Sequence, residues 1–177
     1  MIKNFIAAIV LVIILFAAPN ASAYEYITYQ GYVDGIGWMD PVGDGEIVGT
    51  TGQARRLEAL IINFRGGIKC SAHVENIGWQ DWAYSGDMAG TVGQGLRMEA
   101  VRIQLVGRSE QYFDVYYRAH VQNGGWLGWA KNGEPAGTMG LALRLEALQI
   151  QLVDKGAPFS KDNKPAFYWR VVKVPTV

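Results

Sequence analysis

Cysteine is nearly missing from this chain: Cys70 stands alone among 177 residues. No disulfide framework can form, so the fold must rest on a packed core. Cys70 falls on the apolar face of an expected strand, as a small buried hydrophobe does, rather than in the electropositive setting of a reactive thiol. Histidine is scarce too, with His73 and His120 as the only two. Neither sits among Cys or carboxylate clusters at ligand spacing, so no metal site is expected. Charge of one sign is also lacking. Sixteen Lys and Arg balance sixteen Asp and Glu, for a net charge of zero. No long-range field would draw such a chain to nucleic acid or to an anionic lipid surface. Helical periodicity is absent beyond the N-terminus: glycine is frequent and apolar residues recur every second position, not every 3.6.

The chain has a single long apolar run, at residues 5–18, preceded by Lys3 and followed by Ala21-Ser22-Ala23. A positive start, an apolar stretch and a small-residue cleavage site predict a secretory signal peptide over residues 1–23. The run falls short of the roughly 20 residues that span a bilayer. No cysteine follows the cleavage site to carry a lipid. The expected mature chain is one domain, residues 24–177, placed outside the cytoplasmic membrane and free of it once the leader is cleaved.

One sentence is written three times in that mature chain. Gly37-Trp38, Gly78-Trp79 and Gly125-Trp126 each open a segment, and Thr50, Thr91 and Thr138 of a Gly-Thr pair each follow the Trp by 12 residues. Each segment closes on Arg-x-Glu-Ala: Arg56 and Glu58, Arg97 and Glu99, Arg144 and Glu146. The Trp-to-Trp period is 41 and then 47, so the second carries six extra residues between Leu105 and Val121. A fixed period of this length is one supersecondary unit copied and packed on itself. The expected copies are residues 27–67, 68–112 and 113–153.

Each copy reads as four strands. The first alternates, with Ile27, Tyr29, Gly31, Val33, then Ile68, Cys70, Ala72, Val74, then Val115, Tyr117, Ala119, Val121 on the inner face. Its third inward position is always Gly or Ala, which predicts a large neighbour there, the repeat Trp. A hairpin follows, with Asn132-Gly133 as its clearest tight turn and Asp44-Gly45 and Ser85-Gly86 in the other copies. A second glycine turn at Gly52, Gly93 and Gly140 leads into a closing strand. In a regular strand the Arg and Glu share a face at its end and form a charge-assisted pair at the rim; a bulge would change that facing. Three such units can seal one interior. The expected class is all-β with pseudo-threefold symmetry, β-trefoil-like, with a β-prism of three sheets as the alternative. The tail reads as a polar loop over residues 154–165, then a strand over 166–174 set beside the N-terminal strand.

The motif His-Val-x-Asn-x-Gly-Trp, then Gly-Glu-x-Ala-Gly-Thr, then Leu-Arg-x-Glu-Ala resembles the clostridial hydrophobic repeat with a recurrent tryptophan, the ChW family. The third copy is closest, through His120, Asn123, Trp126, Glu134, Thr138 and Arg144. The first departs: Tyr32 replaces His, Gly35 replaces Asn and Arg55 replaces Leu. The resemblance implies a secreted or surface protein of a Gram-positive anaerobe that binds polysaccharide, cell wall or other surface partners. It implies no catalytic residues and no cofactor.

The residues point the same way. His73 and His120 recur by duplication and Tyr32 takes their place in copy one, so they read as structural. Acid and base roles need carboxylates in unlike environments, whereas Glu58, Glu99 and Glu146 are repeat equivalents. No enzyme is expected. Trp38, Trp79 and Trp126 recur without exception and read as core packing, with the Arg and Glu residues as rim structure. Trp82 and Trp129 differ, because Pro41 takes their position in copy one. They either cover one end of the barrel or offer flat faces to sugar rings, with Asp40, Asp81, Tyr84 and Asn132 as polar neighbours. The expected function is a non-catalytic binding module for polysaccharide or cell-wall glycan. The alternative is a protein-interaction or adhesion component of a surface assembly.

Overall fold

A computed structural model describes residues 27–170. The expected leader at 1–23 and the end of the expected last strand, 171–174, lie outside the described residues. Copy one runs through β1 (Thr28–Val33), β2 (Gly37–Trp38), β3 (Ile47–Gly49) and β4 (Leu57–Asn63). Copy two runs through β5 (Ile68–Val74), β6 (Gly78–Trp79), β7 (Ala83–Tyr84), β8 (Met88–Gly90) and β9 (Met98–Leu105). Copy three has β10 (Phe113–Val121), β11 (Gly125–Trp126), β12 (Ala130–Lys131), β13 (Ala136–Met139) and β14 (Leu145–Asp154). A short β15 (Phe167–Trp169) ends the described chain. The fold is all-β in three copies, as the sequence predicts. The six extra residues before β10 make a 3-10 turn over Gly107–Gln111, whose buried Ser109 hydroxyl donates toward the Val106 and Gly67 carbonyls at 3.0 and 3.2 Å.

The alternating first strands pair with the closing strands of their own copies: β1 with β4, β5 with β9, β10 with β14. Each pair then takes one short arm from another copy. β8 of copy two pairs with β4 of copy one, β13 of copy three with β9 of copy two, and β3 of copy one with β14 of copy three. The exchange closes a ring. The result is three sheets, A around β1 and β4, B around β10 and β14, C around β5 and β9. Among the described residues the strands pair in three sheets, an arrangement consistent with trefoil-like threefold symmetry as well as with the three-sheet alternative.

The inward faces of the three sheets share one core, which draws on Tyr29, Leu60, Ile103, Tyr117, Leu148 and their neighbours from all copies. The small inward residue at Gly31 does not face a tryptophan. A Cβ there would come within 2.6 Å of Leu57 and 3.1 Å of Val48, so two core aliphatics fill the space expected for the indole. β15 does not lie beside the N-terminal strand either. It pairs in parallel with β13, Gly137 opposite Phe167 and Met139 opposite Trp169. The arm of copy three supplies the edge that β15 pairs with, and the Gly137 N–H donates to Ala166 at 2.9 Å.

Candidate functional site

Each closing strand begins with a bulge, and the recurrent Glu is the extra residue. Tyr32 pairs with Ala59 and Val33 with Leu57, skipping Glu58; His73 and Val74 skip Glu99, and His120 and Val121 skip Glu146. All three carboxylates are buried. Each is held by its own arginine: Arg56 on Glu58, Arg97 on Glu99 at 2.9 Å and Arg144 on Glu146 at 2.7 Å. A third group extends the network in two copies, Asp34 on Arg56 at 2.9 Å and Glu75 on Arg97. The freed carbonyl of the bulge is used as well. Those of Glu58 and Glu146 accept from Thr91 and Thr50 of the incoming arm at 2.9 and 2.8 Å. The Arg–Glu blocks therefore join copies. His73 and His120 place Nδ1 3.2 Å from Glu99 and Glu146, without hydrogen-bond alignment. Burial lowers the His73 imidazole below its usual value, against the pull of Glu99 upward. Among the described residues no three of His, Cys, Asp and Glu converge as a metal site would need.

The recurrent tryptophans do not lie in the core. Trp38 is 39% exposed, and Trp79 and Trp126 are half-buried. All three sit on the outer faces of their sheets, edge-on to Tyr32, His73 and His120 with ring centroids 5.6, 5.4 and 5.4 Å apart. The physical reason is the pleat. Trp38, Trp79 and Trp126 stand opposite Tyr32, His73 and His120, which belong to the outward set of the first strand. A guanidinium covers the indole in two copies: Arg102 lies 4.0 Å from the Trp79 centroid and Arg118 4.8 Å from that of Trp126. Arg102 comes from β9 and Arg118 from β10, but each reaches the same level of its sheet. Copy one has Gln30 and Ile61 at that level and no arginine.

A second aromatic cluster is built twice. On sheet C, Lys69 of β5 stands opposite Tyr84 of β7, with Trp82 two residues before Tyr84. On sheet B, Tyr116 stands opposite Lys131, with Trp129 two residues before Lys131. The set is the same, one Trp, one Tyr and one Lys, with Tyr and Lys exchanged across the strands. Copy one has Pro41, Gly43 and Thr28 instead, none of them aromatic or charged.

The two clusters differ in what covers them. In copy three the tail lies across the face. Phe159 stacks on Tyr116 with centroids 4.0 Å apart and meets Trp129 edge-on at 5.1 Å, while Lys161 lies over Tyr116 at 5.1 Å. The tail is anchored by Gly128 N–H donating to Pro165 at 2.9 Å, and at Gly128 a Cβ would reach within 1.8 Å of the Lys164 carbonyl. In copy two no ring from the described residues stacks on the cluster. Trp82 is half-buried, Tyr84 is 56% exposed and the Lys69 ammonium lies 4.5 Å above the Trp82 ring.

The polar neighbours expected from sequence divide. Asp81 is exposed next to Trp82, and Asp40 is exposed in copy one, where there is no indole to serve. Asn132 is spent on the turn: its Oδ1 accepts from Val115 at 2.9 Å and its Nδ2 donates to Asp114 at 2.8 Å. Asn132 and Gly133 both have positive φ, 46° and 92°, as the tight turn requires. Burial alone would raise the Asp114 carboxyl, but bonds from Lys131, Lys155 and Asn132 outweigh it and hold it well below the usual carboxylate range. Beside this knot lies a shallow cleft between copies two and three, lined by Gln104, Leu105, Glu110, Phe113, Asn132 and Lys155. Sequence reading missed Lys69, Tyr116 and Phe159. The first two needed the cross-strand register, and Phe159 sat in a stretch whose polarity hid it.

A family model described as clostridial hydrophobic W matches residues 32–66, 73–107 and 120–154. Each match begins at Tyr32, His73 or His120, the outward partner of the repeat Trp, and runs through the bulge and closing strand. Comparison with curated proteins and with solved structures gives no match. The three matched segments together take in more than half of the chain, which belongs to the clostridial hydrophobic W family.

Proposed function

We propose that this chain is a non-catalytic binding module, secreted or held at the cell surface, that takes polysaccharide or cell-wall glycan on the outer face of sheet C. Trp82, Tyr84 and Lys69 form the contact surface, with Asp81 beside it. The observation that carries this reading is the occupied twin of the site. The same three residue types in copy three hold a flat ring, that of Phe159, in van der Waals stacking. A pyranose offers a similar flat patch through its axial C–H groups, and its hydroxyls suit Lys69 and Asp81. The Lys69 ammonium over Trp82 is no barrier. An exposed cation–π contact is worth about 0.5–1 kcal/mol, less than a good ring stack with its buried area.

Pull-down on insoluble cellulose, chitin and peptidoglycan tests this. Trp82→Ala should lower retention about tenfold, equivalent to about 1.4 kcal/mol. Phe159→Ala should uncover the copy-three cluster and raise retention by adding a second site. Equal recovery of Trp82→Ala and parent on every retained glycan would remove the glycan reading.

One feature favours a second reading. The ring seated on copy three is a side chain of a polypeptide, next to a lysine that also contacts the cluster. An aromatic segment of a protein partner would fit the open cluster equally well. Partner capture that is lost in Trp82→Ala but insensitive to added sugars would establish that alternative, with the module acting in adhesion or surface assembly.

A further inference from the structure

The three short arms are equivalent by the ring of exchanges, but their outer edges are finished in three different ways. The register makes the recurrent glycine of each arm, Gly49, Gly90 or Gly137, point its N–H and C=O away from the closing strand that it pairs with. In copy two the side chain of Gln80 takes up both groups. Its Oε1 accepts from the Gly90 N–H at 2.7 Å and its Nε2 donates to the Gly90 carbonyl at 3.3 Å. In copy three Leu127 holds the place of Gln80, and β15 finishes the edge instead. The equivalence is direct: Met39, Gln80 and Leu127 all donate their backbone N–H to the small residue of the first strand, Gly31, Ala72 or Ala119, at 2.9 Å. In copy one Met39 stands there, with no donor or acceptor for an amide edge. Among the described residues nothing else bonds the outward groups of Gly49.

Among the described residues β15 has an open edge of its own. Ala166 and Arg170 bond toward β13, so the N–H and C=O of Phe167 and Trp169 point outward. Both open edges carry exposed apolar side chains, Ile47 at 45% on β3, and Tyr168 at 45% and Trp169 at 58% on β15. Their flanks differ in charge. Asp44 and Glu46 precede β3, and Lys164 and Arg170 bracket β15. Proteins blunt unpaired strand edges, and this chain has blunted two of its three arms.

We infer that the occupant of the β3 edge is a second copy of this chain, whose β15 pairs there through its own outer edge. Sheet B of one copy then continues into sheet C of the next, and acidic flank meets basic flank. The contact is head-to-tail, so it builds a row or a closed ring of copies rather than a two-fold dimer. It needs neither glycan nor the Trp82 face, and it stands or falls apart from the reading above.

The weight-average mass of the full chain over a range of concentrations tests this by sedimentation or light scattering. The parent should gain mass with concentration. Met39→Gln should supply the missing amide clamp and hold the chain at monomer mass. Trp169→Pro, which deletes an outward N–H without removing a bond to β13, should do the same. Gln80→Leu should open another edge and increase association. A parent that stays monomeric up to its solubility limit overturns the inference, and so does association that persists unchanged in both blocking variants. Should either variant fail to fold, slowed amide exchange at Gly49 and Trp169 of the concentrated parent decides the matter. No concentration dependence at these two amides would rule the contact out.

Discussion

Cys70 occupies the position that Tyr29 and Tyr117 hold in the other copies, and all three are weak acids shut into the core. Burial pushes the Cys70 thiol up to about 12 from 9.0 and the Tyr29 phenol up to about 12 from 10.0, and it raises Tyr117 further. Each group stays neutral in the fold at a pH where the unfolded chain would ionise it. Unfolding then releases protons, so stability is complete below about pH 9 and declines as pH climbs through 9 to 12. Each group removes up to about 1.4 kcal/mol per pH unit within its own window. Denaturant midpoints measured at steps from pH 8 to 11 should show that decline. Cys70→Ala should remove the component that begins near pH 9 and leave the tyrosine component that begins near 10. The same burial keeps thiol reagents out, so Cys70 should label only as fast as the protein opens. Both tyrosine hydroxyls are tied to backbone, Tyr117 to Glu134 within its own copy and Tyr29 to Glu46 and to Ile150, the last of which fastens copy one to copy three.

The bulge is the element on which the copies meet. Gly49, Gly90 and Gly137 lie against the bulge of another copy, and at Gly90 a Cβ would stand 2.2 Å from the Glu58 carbonyl with φ already at +96°. Gly90→Ala combines a backbone clash with a conformation that alanine rarely adopts. It should cost on the order of 2–4 kcal/mol, read as a lower thermal midpoint, whereas Gly93→Ala, with open space around it, should cost only the φ term of about 1 kcal/mol. Much of this was legible in sequence: the alternation of β1, β5 and β10, the glycine turns and the Arg–Glu contact, whereas the bulge at the Glu was an open alternative to a regular strand until the register resolved it. The arm exchange was not, because hydrophobic period reports which face is buried and carries nothing about which copy a strand pairs with. The same gap misplaced Trp38, Trp79 and Trp126. Exact recurrence of a large apolar residue reads as core, yet a two-residue strand opposite an outward Tyr or His turns the indole to the outside. At the candidate site Trp82, Tyr84 and Asp81 were legible, and their partner Lys69 became visible only with the register.

The whole molecule is held by joints between copies as much as within them. Each sheet is incomplete without an arm from elsewhere, and the core is common to all three. Heating should therefore give a single transition, with calorimetric and van't Hoff enthalpies in agreement. Removing residues 113–177 strips the arm from β9 and the docking strand from β3, so the remaining chain should lose cooperative unfolding and near-ultraviolet signal together. Removing residues 166–177 is milder. It uncovers one arm edge at β13 and should lower the thermal midpoint while leaving a single transition.

Because every arm is lent onward and the last is lent back to the first, the number of copies is a property of the closure and not of the unit. A stacked solenoid can grow or shrink by one repeat at its end, since only one interface changes. Here a single added copy has no vacant seat, and a single lost copy strands both a lender and a borrower. Lineages that vary this protein by duplication are thus expected to copy the whole trio, or to change the decoration of the units and leave their number alone.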